Sequence, residues 1–476
     1  MQPSTFNLRV PLKSGDVFVM NTLPDAQVVV SSDAARLLDG AAADDCWAGS
    51  ADADAREALA TLAEHGFLVR DAASEQAALA ARFAEFREDA SQLRITILTT
   101  LQCNFACDYC YQGDHGEAGR VAPKMSPETA ARTADWIVQQ LDEVRPARLS
   151  LTFFGGEPLL NVPAMRLIAE RCAQATASRG VQQVVSIITN GLLLTPEIVD
   201  QMLPLGLTGV KVTLDGDRET HDRMRPLRGG QGTFDRIIEN VRRVASRVRI
   251  AIGGNFDAST AERYPALLDF LKEQEFAGRI SKVAFKPVIR PVEPEKPAGI
   301  IPLTVVGPDR ALLNGSCMSS AGSGGTRPGS ACDSCHFVDE QMSMLREETK
   351  RRGFPTPDGV HMGPCELYRR HSHTIGPDGA LYACPGFTGD NSLAVGHTTA
   401  PPEAAQAESA ARFERLAPWR QCGDCSFIPV CGGGCAVASH AELGDMEAPS
   451  CHKRAFESAL VSLAEEAAGA IAGGVQ

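Results

Sequence analysis

The sequence lacks the features that mark nucleic-acid-binding, membrane and exported proteins. Its 476 residues contain 46 Lys and Arg against 59 Asp and Glu, and the resulting charge of -13 disfavours phosphate backbones and anionic lipid. No apolar run reaches the roughly 18 residues of a membrane span. The segment MQPSTFNLRV has no basic stretch followed by an apolar one. We therefore expect a cytoplasmic protein that binds neither nucleic acid nor membrane.

The cysteines are numerous and unevenly placed. Ten of the 15 lie in two sets, Cys103 to Cys110 and Cys365 to Cys451, whereas Cys46, Cys172 and Cys317 look incidental. Such clustering favours metal ligands over disulfides, because an export signal would be expected with disulfides.

Apolar periodicity and composition divide the chain into four parts. Residues 1–90 read as short strands (17–21, 27–31) followed by helices (32–38, 54–65), and a polar helix (73–89) leads out of them. Residues 91–295 form a central domain. Residues 296–360, rich in Pro, Gly and Ser up to about 335, read as a linker or bridging region. Residues 361–460 are cysteine-dense, so metal would order them, and a tail after about 466 is expected to fray.

The central domain alternates strands and helices. The predicted strands are 93–100, 148–154, 184–189, 209–214, 249–256 and 281–287, and the predicted helices are 126–140, 162–179, 195–202, 234–246 and 262–274. Ser126-Pro127 and Thr195-Pro196 each give an N-cap followed by proline at the first helical position. This alternation predicts an α/β fold with a parallel sheet, whose chemistry lies at the carboxyl ends of the strands.

The first cysteine set follows directly on the first central strand. Cys103, Cys107 and Cys110 place three thiolates on one loop, and soft ligands suit iron and sulfide. A cubane cluster takes one ligand per iron, so three cysteines leave one iron open for a chelating ligand. The alternative is a structural zinc loop, for which His115 could supply the fourth ligand.

The segment CNFACDYCY resembles the cluster loop of the radical S-adenosylmethionine (SAM) superfamily. Three further motifs stand at successive strand ends, namely FFGGEP at 153–158, ITNG at 188–191 and TLDG at 213–216. The resemblance implies a partial (β/α)6 barrel and a 4Fe-4S cluster on Cys103, Cys107 and Cys110. It also implies SAM contacts from Tyr109, Gly155, Gly156, Glu157, Pro158, Thr189, Asn190, Thr213, Asp215 and Arg225. For Arg225, a solvated surface position is the alternative.

The second cysteine set has the spacing Cys365-x13-Gly379-x4-Cys384, then Cys422-x2-Cys425-x5-Cys431-x3-Cys435, and finally Cys451. This pattern resembles the SPASM domain, which carries two auxiliary 4Fe-4S clusters in peptide-maturing radical SAM enzymes. The resemblance assigns Cys422, Cys425, Cys431 and Cys451 to an outer cluster and Cys365, Cys384 and Cys435 to an inner one. A zinc fold is the alternative.

The inner set is short of one thiolate. Some members of the family supply it six positions before the first cysteine, where this chain has Gly359. Either Cys332 and Cys335 reach the inner set, or an iron stays open for substrate and these two thiols are free.

Residues 1–90 resemble the PqqD-like winged-helix modules that recognise precursor peptides. In such modules a leader peptide adds a strand to an exposed sheet edge. A purely structural cap on the central domain is the alternative.

These resemblances imply a radical SAM enzyme that matures a ribosomally made precursor peptide by forming a cross-link or thioether. It would use three 4Fe-4S clusters, SAM and an electron donor such as flavodoxin or ferredoxin. One alternative is a sulfatase-type maturase that forms formylglycine, although Pro385 stands where those enzymes carry an Asp, with Asp390 close by. Another is a non-catalytic iron-sulfur or zinc scaffold.

Overall fold

The computed structural model describes residues 1–40, 53–110, 112, 122–289, 333–361 and 363–473. The strands are β1 (Gln2–Pro3), β2 (Asn7–Pro11), β3 (Val17–Asn21), β4 (Ala26–Val30), β5 (Leu68–Val69), β6 (Gln92–Leu98), β7 (Arg148–Phe154), β8 (Gln182–Thr189), β9 (Leu207–Thr213), β10 (Arg249–Phe256), β11 (Ile280–Pro287), β12 (Ser372–Ile375), β13 (Ala380–Tyr382) and β14 (Gly396–His397).

The helices fall in three groups along the chain. The N-terminal region has α1 (Ser32–Gly40), α2 (Ala53–Glu64) and α3 (Ala72–Glu88). The central region has α4 (Pro127–Val144), α5 (Val162–Arg179), α6 (Pro196–Met202), α7 (Arg218–Met224), α8 (Phe234–Val244) and α9 (Tyr264–Lys272). The C-terminal region has α10 (Asp333–Arg351), α11 (Ala404–Arg415), α12 (Ile428–Cys431), α13 (Ala436–Leu443) and α14 (Lys453–Gly473).

A mostly parallel sheet of nine strands, in the order β11-β10-β9-β8-β7-β6-β12-β13-β14, makes up the centre of the molecule. Strands β6 to β11 are parallel neighbours in sequence order, as a series of strand–helix units requires. One face of these strands packs on the helices as a continuous apolar core that includes Ile95, Leu151 and Val212. The predicted α/β class with a parallel sheet is therefore confirmed.

The C-terminal cysteine-rich region contributes to this same sheet. Strand β12 pairs in parallel with β6, with Ser372 opposite Arg94, and β13 and β14 continue the sheet in antiparallel pairs. Apolar periodicity in these short strands was too weak to predict them. Because β6 ends at the first cysteine loop, this pairing joins the two cysteine-bearing regions directly.

The N-terminal residues form a three-stranded antiparallel sheet, β2-β3-β4, with apolar side chains on both faces. On one face Val19 packs with Leu38, Leu59 and Leu62 of α1 and α2. On the other face Phe18 and Met20 pack with Ala459, Leu460 and Ala464 of α14. This sheet is therefore docked on the last helix of the chain.

One expectation about the C-terminal half needs correction, and one region contains a helix that was not predicted. The tail predicted to fray after residue 466 is part of α14, which continues to Gly473, because Leu463, Ala464 and Ala467 pack against the N-terminal sheet. The second half of the expected linker contains α10. Cys46, His115, Cys317 and Cys332 lie outside the described residues, as does most of the first half of that linker. In the described ranges, no helix is long and apolar enough to cross a membrane.

Candidate active site

The first cysteine group, Cys103, Cys107 and Cys110, lies on the loop after β6, and all three residues are half-buried. Backbone pairing holds this loop, since Phe105 bridges Leu227 and the Ala106 N–H donates to the Pro226 carbonyl at 2.9 Å. Burial raises the pKa of the Cys103 thiol to about 12 and that of Cys107 to about 11. The thiols are therefore protonated when free, and metal binding would release their protons.

Gly155 and Gly156 bring the end of β7 into contact with the cysteine loop. The Gly156 N–H donates to the Thr100 carbonyl and the Glu157 N–H to the Gln102 carbonyl, each at 2.9 Å. A Cβ on Gly155 would lie 2.2 Å from the Thr100 oxygen, and one on Gly156 would lie 2.2 Å from the Gln102 oxygen. Only glycine permits this approach, so the two glycines of GGEP fix the cysteine loop against the second strand end.

Glu157 connects the second strand end to the third. It is fully buried, and its carboxylate accepts hydrogen bonds from Thr189 Oγ1 at 2.7 Å and from the Asn190 N–H at 2.8 Å. Burial raises the pKa of this carboxyl group, and these hydrogen bonds oppose the rise. Its neighbour Pro158 is also buried, at the start of a short 3-10 helix.

Asn190 extends this connection back to the cysteines. Its Nδ2 donates to Asn104 Oδ1 at 2.7 Å and lies 3.9 Å from Cys103 Sγ, and its Oδ1 accepts from the Leu192 N–H. GGEP and TNG therefore meet at the cysteine loop, as their positions at adjacent strand ends predict.

The fourth and fifth strand ends form a second polar cluster, around Tyr109. Asp215 is fully buried and accepts hydrogen bonds from the Tyr109 hydroxyl and from the Asn255 N–H, the latter at 2.7 Å. Arg225 donates to the Tyr109 oxygen and lies 3.5 Å from Asp215. Asn255 Nδ2 also donates to Tyr109 at 3.3 Å. Three residues from other parts of the chain thus contact the Tyr109 side chain, which belongs to the cysteine loop. The predicted site residue Thr213 is the last residue of β9, two positions before Asp215.

His221 supports this cluster from behind. Its Nδ1 accepts from the Asp215 N–H at 3.1 Å, so the ring proton is on Nε2, which faces Thr233 Oγ1 at 3.1 Å. Burial lowers the pKa of this imidazole well below its ordinary value, with a further contribution from Arg225. The ring is therefore neutral at physiological pH, and it positions the backbone that carries Asp215.

Arg225 is 9% exposed, so the alternative of a solvated surface arginine is wrong. Its guanidinium lies 5.6 Å from the ring centre of Phe105. Its Nε has no hydrogen-bond partner within the described residues, although it is buried. A buried donor of this kind fits a carboxylate ligand such as that of SAM's methionine moiety.

The outer cysteine group, Cys422, Cys425, Cys431 and Cys451, lines one cavity of about 260 Å³. Burial raises the pKa of the Cys431 thiol to about 12, and the neighbouring Cys422, Cys451 and Cys425 raise it further. Four soft ligands around one space could hold an iron-sulfur cluster.

The inner cysteine group consists of Cys365, Cys384 and Cys435. Burial raises the pKa of the Cys384 thiol to about 12, Cys365 and Cys435 add to the rise, and Lys286 opposes it. The seven cysteines of the second set therefore lie in two spatial groups, and their assignment as ligands of two clusters stays a prediction.

In the described part of the chain, no three His, Cys, Asp or Glu side chains converge as ligands of a single metal ion would. A cubane binds each ligand at a separate iron, so its ligands do not need to meet at one point.

Three alternatives that the sequence left open concern the pair Cys332 and Cys335, Gly359, and Asp390. Cys332 lies outside the described residues, and of Cys335 only the position in α10 is described. Gly359 has a φ of +89°, and a Cβ there would face Ala459 and Arg346 rather than a cysteine. Asp390 caps a short helix by accepting from the Ser392 N–H and hydroxyl.

Several residues of this site were not predicted from sequence. Asn104 is hydrogen-bonded to Asn190, and Asn255 to Tyr109. Thr233 is hydrogen-bonded to His221, which in turn holds the Asp215 backbone. Asn255 could have been found, because GGNF ends the fifth strand as TNG ends the third. Asn104 and Thr233 lie in loops, where no periodic signal exists.

Residues 97–256, about a third of the chain, match the family model of the Radical SAM superfamily. Fe-coproporphyrin III synthase of Methanosarcina barkeri is 27% identical over 195 residues, 39% of this chain and 44% of that protein. The sporulation killing factor maturation protein SkfB of Bacillus subtilis is 25% identical over 168 residues, 35% of this chain and 36% of that protein.

The serine-type anaerobic sulfatase-maturating enzyme of Bacteroides thetaiotaomicron is 27% identical over 146 residues, 29% of this chain and 33% of that protein. The chain thus matches less than half the length of each of these relatives. The solved structure of native anSMEcpe with bound AdoMet is similar in fold, with a TM-score of 0.57 and 17% identity over 79% of this chain and 99% of that one.

Proposed function

We propose that this protein is a radical SAM enzyme that modifies a ribosomally made precursor peptide. The observation that carries the proposal is the convergence of GGEP, TNG and LDG on a loop with three cysteines. Glu157 and Asn190 join the second and third strand ends to this loop, and Asp215 joins the fourth through Tyr109.

In this proposal Cys103, Cys107 and Cys110 would hold a 4Fe-4S cluster, and the chemistry it would supply, once reduced by a one-electron donor, is the reductive cleavage of SAM that starts hydrogen removal from the substrate. Arg225 binds the SAM carboxylate through its unpartnered Nε. Gly155, Gly156, Glu157, Pro158, Thr189, Asn190, Thr213 and Asp215 form the walls of the SAM site. Their mutual hydrogen bonds keep these walls rigid, which keeps the reactive group close to one C–H bond and away from water.

Two features favour a peptide as the substrate. In the part of the chain that is described, β2 and β4 each pair only with β3, so neither edge strand of the N-terminal sheet already has a second partner that would exclude an added strand. The outer and inner cysteine groups also fit two auxiliary 4Fe-4S clusters, as in SPASM enzymes, which could accept the electron left on the substrate. SkfB, a relative by sequence, is named for the maturation of a killing factor.

A sulfatase-type maturase is the second candidate, because the relatives include a sulfatase-maturating enzyme. Two residues argue against it. Pro385 occupies the position of the expected acidic residue, and the Asp390 carboxylate is engaged in a helix cap with Ser392.

The test is anaerobic reconstitution followed by incubation with SAM and dithionite. We expect about 12 iron atoms per chain and production of 5'-deoxyadenosine. The variant with Cys103, Cys107 and Cys110 replaced by Ala should keep about 8 iron atoms and produce none. The matched control is Cys172→Ala, because Cys172 is a fully buried residue of the apolar core and belongs to none of the three cysteine groups.

A wild-type protein that carries its iron and yet gives no 5'-deoxyadenosine would refute the enzyme and leave the scaffold alternative. About 4 iron atoms per chain would refute the auxiliary clusters. With an active preparation, modification of a precursor peptide encoded beside this gene, and not of a sulfatase peptide, would separate the two enzyme candidates.

A further inference from the structure

One face of the parallel strands is covered by helices, and the residues that alternate with this core form the opposite, open face. On strands β7 to β11 the open face includes the small residues Thr152, Ser186, Thr213, Gly253 and Ala284. Thr152 and Ser186 are hydrogen-bonded partners at 3.0 Å, and Gly253 is the register partner of both Thr213 and Ala284. Small side chains leave room above the sheet for a ligand.

Three lysines project from this open face. Ala251 of β10 has Lys211 as its register partner on one side and Lys282 on the other, and Asn255 has Lys286. Residues that are register partners lie on the same face of a sheet. Lys211, Lys282 and Lys286 are therefore a cluster, here called the lysine cluster.

Gly253 makes space for this arrangement. A Cβ at this position would lie 2.4 Å from Lys211 Cε and 3.1 Å from its Nζ, so the Lys211 side chain crosses β10 directly over this glycine. The ammonium group is thereby brought towards β11 and its two lysines.

No acidic group of the described residues acts on Lys211, and Lys282 and Lys286 beside it are exposed. Burial lowers the pKa of Lys211 to about 8, and the nearby Lys286 and Lys282 lower it further, with no acidic group among the causes. A partly buried ammonium such as that of Lys211, held beside two like charges, is unfavourable unless an anion binds it.

The lysine cluster lies between the two regions that carry the chemistry. Asn255, beside Lys286, donates to Tyr109 of the first cysteine loop. Lys286 itself opposes the rise that burial causes in the pKa of Cys384, a member of the inner cysteine group. An anion bound here would be positioned between the SAM site and the inner group.

We propose that Lys211, Lys282 and Lys286 bind a carboxylate of the substrate on the open face of the sheet. The proposal adds a substrate contact to the peptide-modifying function. Carboxylate binding is argued from the lysines themselves, and only the statement that the ligand is the substrate rests on the proposed function. The carboxylate belongs either to an acidic side chain or to the C-terminus of the peptide.

The probes are two fluorescent peptides, hexaglutamate with an amidated C-terminus and hexaglutamine with a free one, titrated into reconstituted protein at low salt. We expect one or both peptides to bind the wild-type protein. Each peptide that binds should bind the double variant Lys211→Met/Lys286→Met at least about tenfold more weakly. Binding of the first probe identifies a side-chain carboxylate, and binding of the second alone identifies a C-terminal one.

The matched control is Lys272→Met/Arg236→Met, which removes the same charge from exposed positions on α9 and α8, the helices of the covered face. Equal binding by wild type and the lysine-cluster variant, or no binding of either probe to wild type, would overturn the proposal. If the double variant does not fold, acetylation of Lys211 in wild type gives the same decision, since bound peptide should protect it.

The production of 5'-deoxyadenosine is measured on the same preparations. Its absence in wild type refutes the enzyme even where the lysine cluster binds a probe, and its presence without probe binding refutes only the lysine cluster. A weaker affinity for SAM in the lysine-cluster variant, with unchanged probe binding, would assign the lysines to SAM and overturn the proposal.

Discussion

At the scale of single residues, the glycines of the site matter as much as its polar side chains, because they allow two backbone segments to come into contact. The glycines of GGEP were expected to permit close backbone approach, and in the structure their partner is the cysteine loop, through Thr100 and Gln102. The polar residues of the site bond mostly to one another, so their chemistry depends on these contacts being kept.

Gly156→Ala should remove the first cluster. Its Cβ would lie 2.2 Å from the Gln102 oxygen, which is backbone and cannot move without shifting the loop that bears Cys103. We expect iron after reconstitution to fall from about 12 to about 8 atoms per chain, with loss of SAM cleavage. Iron analysis together with 5'-deoxyadenosine measurement checks this.

The control for this change is Gly278→Ala, because a Cβ on Gly278 meets no atom within 4 Å. Full iron content and activity in Gly156→Ala would show that the loop accommodates a side chain at this position, contrary to the contacts described.

At the scale of elements, β12 carries a pH-sensitive residue into the central sheet. His373 is opposite Ile95 of β6, and its ring meets Trp136 of α4 edge-on at 5.3 Å. Burial lowers the pKa of His373 to about 4, with a smaller contribution from His371. Folding therefore favours the neutral ring, while the unfolded chain takes up a proton below about pH 6.5.

This shift predicts that stability is lost as the pH falls from about 6.5 towards 4, because only the unfolded state gains the proton in that range. In His373→Gln, which cannot titrate there, the fall in Tm between pH 7 and pH 5 should be smaller than in wild type. The exposed His65→Gln is the control. Identical falls in wild type and His373→Gln would show that this imidazole does not contribute.

The bounds of the strands and helices show which elements could be predicted from the sequence. β3, β7, β10 and α5 have the predicted bounds, because each has strong periodicity or clear termini. β12 was missed because four residues give no periodic signal and its partner, β6, is about 280 positions away in the chain.

The features of the site also divide into those that could be predicted from the sequence and those that could not. The cysteines and the strand-end motifs could be predicted, because each is a local pattern. The Asn255 to Tyr109 bond and the lysine cluster could not, since both depend on the register between strands.

At the scale of the whole molecule, the N-terminal sheet is attached to the C-terminal third at two places. Met20 is fully buried against α14 with Leu460 and Ala464. Thr22 donates to the Ser426 carbonyl and Ser426 donates to that of Thr5, each at 2.6 Å, beside Cys425 of the outer group. The residues that precede β2 and follow β3 are therefore held next to the outer cysteine group.

Met20→Ala should loosen this attachment while leaving the central sheet intact. A cavity at a fully buried methionine costs about 2–5 kcal/mol. We expect amide hydrogen exchange of residues 7–30 to be faster by the corresponding factor and that of β7 and β8 to be unchanged. Lys13→Ala, at an exposed position of the same sheet, is the control. Unchanged exchange at residues 7–30 would mean that the contact with α14 does not hold the sheet.

The docking of Met20 on α14 also has a consequence for biosynthesis. The ribosome makes residues 1–40 well before the surface that receives them, which includes Ser426 and Leu460. Contacts separated by some 400 positions form late, because the intervening chain must be complete before they close. The N-terminal segment must therefore wait in the nascent chain with Phe18 and Met20 uncovered, and a chain truncated before α14 would leave this apolar face open to aggregation.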